Sequence, residues 1–245
     1  MKKRIVTIAL VIALLATCFA GTYAYLMDTE AAKNVMVAGN VDIVQNEYER
    51  AADGTLVAYK NGKKILLPMG SDPAWADEQV TMGNYTFKMF ADVNALDKIV
   101  TVTNKGNVDA YVRTIVALEA GKSVKEAEDL WYNYIALTNG IGSHGVEVDK
   151  DMYVQIGETY YIIVSYTYKN ALKPNEESAP SMTGVALYAA ATNAIVQLFG
   201  GDYSVLVLSQ AVQADGMGAD AAAALDKAFG AITDKNVAEW FASIA

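Results

Sequence analysis

The stretch Tyr85–Glu119, YTFKMFADVNALDKIVTVTNKGNVDAYVRTIVALE, decides the fold class because its apolar residues recur every second position. Tyr85, Phe87, Met89 and Ala91 share one face of an extended chain. Ile99 and the alternating Val100 and Val102 follow within Asp97–Asn104. Asn104-Lys105-Gly106-Asn107 has turn chemistry, and Val108–Glu119 returns as a strand with Tyr111, Arg113, Ile115 and Ala117 on one face. A period of two held over this length predicts β-structure.

The pattern continues on both sides. Upstream, Val41, Ile43 and Gln45 alternate with Asp42 and Val44, so Asn34–Tyr48 reads as a strand pair or one long strand kinked at Gly39-Asn40. Ala51-Ala52-Asp53-Gly54 is a turn. Thr55–Lys60 and Lys63–Leu67 flank Asn61-Gly62, the strongest short hairpin signal in the chain. Pro68–Ala76 reads as a loop that carries Trp75. Downstream, Ser123-Val124-Lys125-Glu126 is a capping box that opens a helix to about Trp131. A short strand is expected at Tyr134–Leu137, a Gly-rich turn at Asn139–Gly145 and a central strand at Thr159–Tyr168. Ala171–Pro180 reads as a surface loop. Gly184–Tyr188 is a strand, Asn193–Phe199 a short helix, and Tyr203–Gln213 the final strand.

After Gly218 the chain turns alanine-rich. Ala219–Phe229, stopped by Gly230, and a second segment capped by Asp234 read as helices with narrow apolar stripes at Leu225/Phe229 and Val237/Phe241. The expected architecture is mainly β: a jelly-roll-like antiparallel β-sandwich with helical insertions and a C-terminal helical pair. The domain plan is a leader at 1–24, the sandwich at 25–218 and a helical extension at 219–245 packed on the sandwich.

The leader has the three parts of a secretory signal: Lys2-Lys3-Arg4, the apolar run Ile5–Ala20, and small residues at Thr22 and Ala24 before a cut that leaves Tyr25 first. Cleavage removes Cys18, the only cysteine, so the mature chain forms no disulfide. It also lowers the 19 basic residues to 16 against 28 acidic ones, a formal charge of −12. That charge is repelled by nucleic-acid phosphates and anionic lipid, so nucleic acid is not an expected partner and the membrane is met only through the uncleaved signal.

Around the cut, Gly21, Thr22, Tyr23, Ala24, Asp28 and Asn34 lead into Val37, Ala38, Gly39, Val41, Asp42 and Ile43. This pattern resembles the TasA and camelysin family of exported biofilm-matrix fibre proteins, which a dedicated endoplasmic-reticulum-type signal peptidase processes. Asp97–Asn104 and Asn107–Thr114 also resemble words of that export class. The resemblance implies secretion to the cell surface or extracellular matrix of a Gram-positive bacterium. It further implies head-to-tail assembly in which the mature N-terminal strand completes a neighbour's sheet. Leu26–Val37 is the matching donor segment, with Val35 and Val37 as anchors after Leu26. The expected partners are the protein itself, signal peptidase during export, and a minor matrix subunit if the fibre has one. A monomeric binding module or adhesin is the alternative, and a camelysin-like metallopeptidase ranks third.

The residues themselves argue against an enzyme. His144 is the single histidine, so neither a paired-histidine zinc site nor a catalytic triad with a spare base can be assembled. No catalytic residue, metal site or cofactor is expected. Glu147, Asp149 and Asp151 alternate and could offer oxygen ligands to Ca²⁺ if extended, but they read first as a charged sheet edge that discourages aggregation.

Overall fold

The computed structural model describes residues 27–30, 41–60, 64–70, 78–199, 203–242 and 244, with the side chains of 27–30 and 146–151 excepted. Two five-stranded antiparallel sheets lie face to face. The first has the order β1 (Met27–Glu30), β12 (Val205–Gln213), β7 (Ala110–Glu119), β10 (Thr159–Tyr168), β9 (Gly145–Ile156). The second runs β3 (Leu56–Ala58), β2 (Ile43–Arg50), β6 (Leu96–Asn104), β11 (Met182–Leu187), β8 (Ile135–Thr138). A separate hairpin joins β4 (Glu78–Met82) to β5 (Tyr85–Met89). The expected jelly-roll-like sandwich is therefore the observed class.

Strand alternation produces the core. Val100 and Val102 from β6, Val112, Val116 and Leu118 from β7, and Ile162 and Val164 from β10 meet between the sheets. Each such side chain stabilises the fold by about 1.5–3 kcal/mol on full burial. The opposite face of β7 carries the predicted row Tyr111, Arg113, Ile115 and Ala117, and the C-terminal helices cover it. Helix α4 (Asp234–Phe241) sets Val237 and Phe241 against Ile115, Ala117, Ile163 and Leu208. Helix α3 (Ala221–Phe229) sets Ala224 and Leu225 against Val212 and Met217. Asp220 caps α3, and Gly230 ends it at φ +92°, as its sequence signal implied. Thr233, one residue before the expected Asp234, caps α4 through the amide of Asn236.

Arg113 pins the pair to the sheet. Its side chain is 1% exposed, and its guanidinium donates to Gln210 Oε1 at 2.7 Å, Asp226 Oδ1 at 2.7 Å and the Gly230 carbonyl at 2.9 Å. Trp240 lies over it at 5.1 Å. Burial pulls the guanidinium below the ordinary arginine value, and the Asp226 carboxylate opposes that pull.

Helix α1 (Val124–Asn133) closes one side of the sandwich, packing on β8, β9 and β10 through Ala127 and Leu130. Ser123 accepts from the Glu126 amide. The Glu126 carboxylate in turn takes the Lys122 amide, one residue upstream of the usual reciprocal bond. The fourth helix, α2 (Asn193–Gln197), sits in the connection to β12.

Several local expectations are corrected. The turn after Asn104 and the strand after it are present as expected, and the turn carries the chain from β6 in one sheet to β7 in the other. Apolar periodicity reports a strand but not its partner. The hairpin expected around Asn61-Gly62 is replaced: β3 pairs with β2 across the Ala51–Gly54 turn, and Lys64–Leu67 is not a strand. Residues 61–63 lie outside the described residues. The two-residue turn Gly83-Asn84, with Gly83 at φ +56°, makes the β4–β5 hairpin that the sequence reading left out. β9 carries no clear sequence signal, because charges mask its alternation. Ala171–Pro180 is exposed only in part: Ser178 and Ala179 are buried, and the Tyr168 hydroxyl donates to the Ala179 carbonyl at 2.7 Å.

Candidate functional site: the open seam

Opposite α1, the described residues give the sandwich only short edge covers. There the edge of one sheet is β12 with β1, and the edge of the other is β2 with β3. Each cover is short. β1 pairs antiparallel with β12 from Met27↔Val212 to Glu30↔Ser209, so Val205–Leu208 have no partner on that side among the described residues. β3 pairs with Tyr48–Arg50 of β2 and, through the Tyr59 amide, with the Glu47 carbonyl. Unpaired strand edges are templates for another strand.

Polar groups line the seam from inside. The Ser209 hydroxyl donates to Gln45 Oε1 at 2.8 Å, and Gln45 Nε2 donates to Glu47 at 3.1 Å. Lys98 donates to Glu47 at 2.5 Å, and Lys64 donates to Glu49 at 2.8 Å. Both ammonium groups lie over the Tyr59 ring, Lys98 at 4.3 Å and Lys64 at 5.1 Å. The Glu49 carboxylate holds the Lys64 ammonium above its ordinary value, and burial pushes the Tyr59 hydroxyl up.

At the foot of the seam is a cavity of about 200 Å³, lined by Tyr59, Lys64, Leu96, Lys98, Tyr203 and Val205 among others. Tyr203 is 8% exposed, and its hydroxyl has no hydrogen-bond partner. Burial raises that hydroxyl well above the ordinary tyrosine value. The hydroxyl is shut off from the cavity, and the charged neighbours that raise it further are Glu119 and Tyr161.

A larger depression of about 670 Å³ lies elsewhere, between Arg50, Asp53, Glu78, Asp92 and Asp97. Its charged groups are engaged with one another or with backbone. Asp97 forks onto Arg50, Glu78 binds the same guanidinium, Asp92 accepts the Gly70 and Asn94 amides, and Asp53 accepts from Thr55. This cluster ties β2, β4 and β6 together and offers no unengaged acid–base pair.

No protein-family model, curated protein or solved structure matches this chain.

The residues singled out in the sequence fall in three places. Thr22, Ala24 and Tyr25 at the cut, Leu26, Val35 and Val37 in the donor segment, and Trp75 lie outside the described residues. His144 is exposed, its ring 5.3 Å from Tyr85 in an edge-on contact. Glu147, Asp149 and Asp151 lie on β9, an edge strand, and their side chains lie outside the described part of the structure. A register shift falls between the Val148↔Ser165 and Met152↔Ile163 pairs. Among the described residues no cluster of three metal-ligating side chains occurs. Lys64, Lys98 and Tyr203 of the seam were not foreseen. They lie far apart in the chain, and no local signal joins them.

Proposed function

We propose that this is an exported structural protein, cut after Ala24, that assembles head-to-tail into extracellular fibres. In this reading the freed N-terminal segment leaves its own β12 and adds to the β12 edge of a neighbour. One observation carries it: β1 is a four-residue edge strand lying on a nine-residue β12. Among the described residues that cover is short and Val205–Leu208 have no strand beside them, which favours exchange of the strand between copies. Main-chain bonds then supply affinity and the polar seam supplies register. Because donor segment and acceptor edge are different surfaces, the contact repeats without closing. The resemblance to the matrix-fibre family that surrounds the cut, from Gly21 to Ile43, takes in the same N-terminal segment. In this reading the chain has no catalytic task, and its principal partner is itself.

The test uses purified chain beginning at Tyr25, compared with chain lacking residues 25–37. Electron microscopy and sedimentation at rising concentration should give filaments for the first and monomers for the second. A chain beginning at Tyr25 that stays monomeric overturns the proposal and leaves an exported sandwich that binds some other ligand.

A further inference from the structure

Two ammonium groups converge on the small cavity at the foot of the seam. Lys98 comes from β6 and Lys64 from the segment 64–70, and both line that space of about 200 Å³. Lys98 is 7% exposed, a depth at which a lysine needs partners for its charge. Its ammonium donates to Glu47 and lies over the Tyr59 ring, while that of Lys64 donates to Glu49 and lies over the same ring. An ammonium carries three N–H donors, and these contacts use two at most. Each group therefore keeps an N–H without an acceptor among the described residues. The partner carboxylates of Glu47 and Glu49 are not part of the cavity lining, so the lining itself is cationic.

The rest of the lining sets the chemistry of what fits. Leu96, Val185, Val205 and Leu206 supply apolar wall, and the Tyr203 hydroxyl is sealed away from it. We propose that the foot cavity binds a short aliphatic monocarboxylate. Its oxygen accepts from the buried Lys98 ammonium, a charge-assisted bond that a neutral alcohol of the same length does not match. Its carbon chain lies on Leu96, Val185 and Val205. A single charge is favoured, because Glu47 and Glu49 already balance the two lysines and repel a dianion such as phosphate. At about 30 Å³ for each water-sized group, the space takes about six or seven non-hydrogen atoms, the size of butyrate. Elsewhere the chain is strongly acidic, with 28 acidic residues against 19 basic ones, and repels carboxylates. Binding is therefore local to this cavity. The inference uses only side chains of the folded sandwich and stands apart from the assembly reading.

Saturation-transfer NMR on the chain beginning at Tyr25 tests it, because that method reads weak ligands whether the protein is single or assembled. Butyrate should show saturable transfer with a dissociation constant in the millimolar range. It should bind about tenfold more tightly than acetate, which lacks the two methylenes that cover the apolar wall. Neither 1-butanol nor phosphate should displace it. Lys98→Met should weaken butyrate at least about tenfold. Because that change also strips Glu47 of its partner, Leu96→Phe serves as a second variant. It fills the space, leaves both ion pairs in place and should abolish the transfer while circular dichroism shows an unchanged fold. Butyrate held no more tightly than acetate, or displaced equally by phosphate, would mean a loose ion at surface lysines and overturns the site. Undiminished binding by Leu96→Phe overturns it as well, and so does the absence of saturable transfer through the millimolar range.

Discussion

Ser209 on β12 donates its hydroxyl to the side-chain oxygen of Gln45 on β2 at 2.8 Å, joining the two sheets on the side where β1 and β3 form their edges. Ser209 is fully buried, and its oxygen also lies 3.3 Å from Thr114 Oγ1. Ser209→Ala should cost about 1 kcal/mol, and a double-mutant cycle with Gln45→Leu should return a coupling energy of about the same size. Urea unfolding of the four proteins measures it. Zero coupling would mean that the bond does not help to hold the seam.

Arg113 links the sheet to the C-terminal helices through one buried guanidinium. Arg113→Leu keeps the apolar contact with Trp240 but leaves Gln210, Asp226 and the Gly230 carbonyl without that donor. A loss of about 1–3 kcal/mol is expected, since the buried Gln210 oxygen is left without its donor. Asp226→Asn should cost less, about 1 kcal/mol, because Asp226 is 45% exposed and its charge is screened. Hydrogen exchange should show α3 and α4 opening before the strands in the Arg113 variant. Uniform protection across the chain would contradict the anchor role.

Tyr168 makes stability depend on alkaline pH. Burial pushes its hydroxyl from the ordinary 10.0 up to about 12. Below pH 10 both folded and unfolded forms keep the proton, and this residue adds no slope. Between pH 10 and about 12 the unfolded tyrosine ionises while the buried one stays neutral, so stability falls, by about 2–3 kcal/mol in all. Tyr168→Phe should flatten denaturation midpoints over that window relative to the parent, at a fixed cost from the lost bond to the Ala179 carbonyl. Equal slopes for the two proteins would argue against the assignment.

Gly218 admits the first turn of α3 against the loop before it. A Cβ there would sit 2.6 Å from the Ala224 amide nitrogen and 2.9 Å from its Cα, both rigid backbone. Gly218→Ala should therefore lower stability by about 1–3 kcal/mol, visible as a fall in Tm. By contrast, the φ of +82° at Gly54 comes with open space, so a substitution there meets only backbone strain.

The elements with an uninterrupted local code were legible in the chain. Thr159–Tyr168 is β10 to the residue, the Ser123 cap and the Gly230 stop bound their helices, and the outer row Tyr111, Arg113, Ile115, Ala117 faces as its alternation requires. Charge hid β9, whose register shift breaks the alternation on which a strand reading depends. Asn61-Gly62 pointed to a hairpin because a turn signal describes the bend and says nothing of which strands it joins. The seam was not legible at all. Its lining comes from Gln45, Lys64, Lys98, Tyr203 and Ser209, and only the crossing of chain between sheets brings them together.

Period-two apolarity, caps and glycine stops act over a few residues, so the primary structure was sufficient for a β-rich chain with a helical tail. Strand order, the short reach of β1 along β12 and the buried Tyr203 hydroxyl arise from pairings between residues more than a hundred positions apart. Such pairings are chosen by the packing of whole sheets, and folding in three dimensions alone decided which strands lie at the sheet edges.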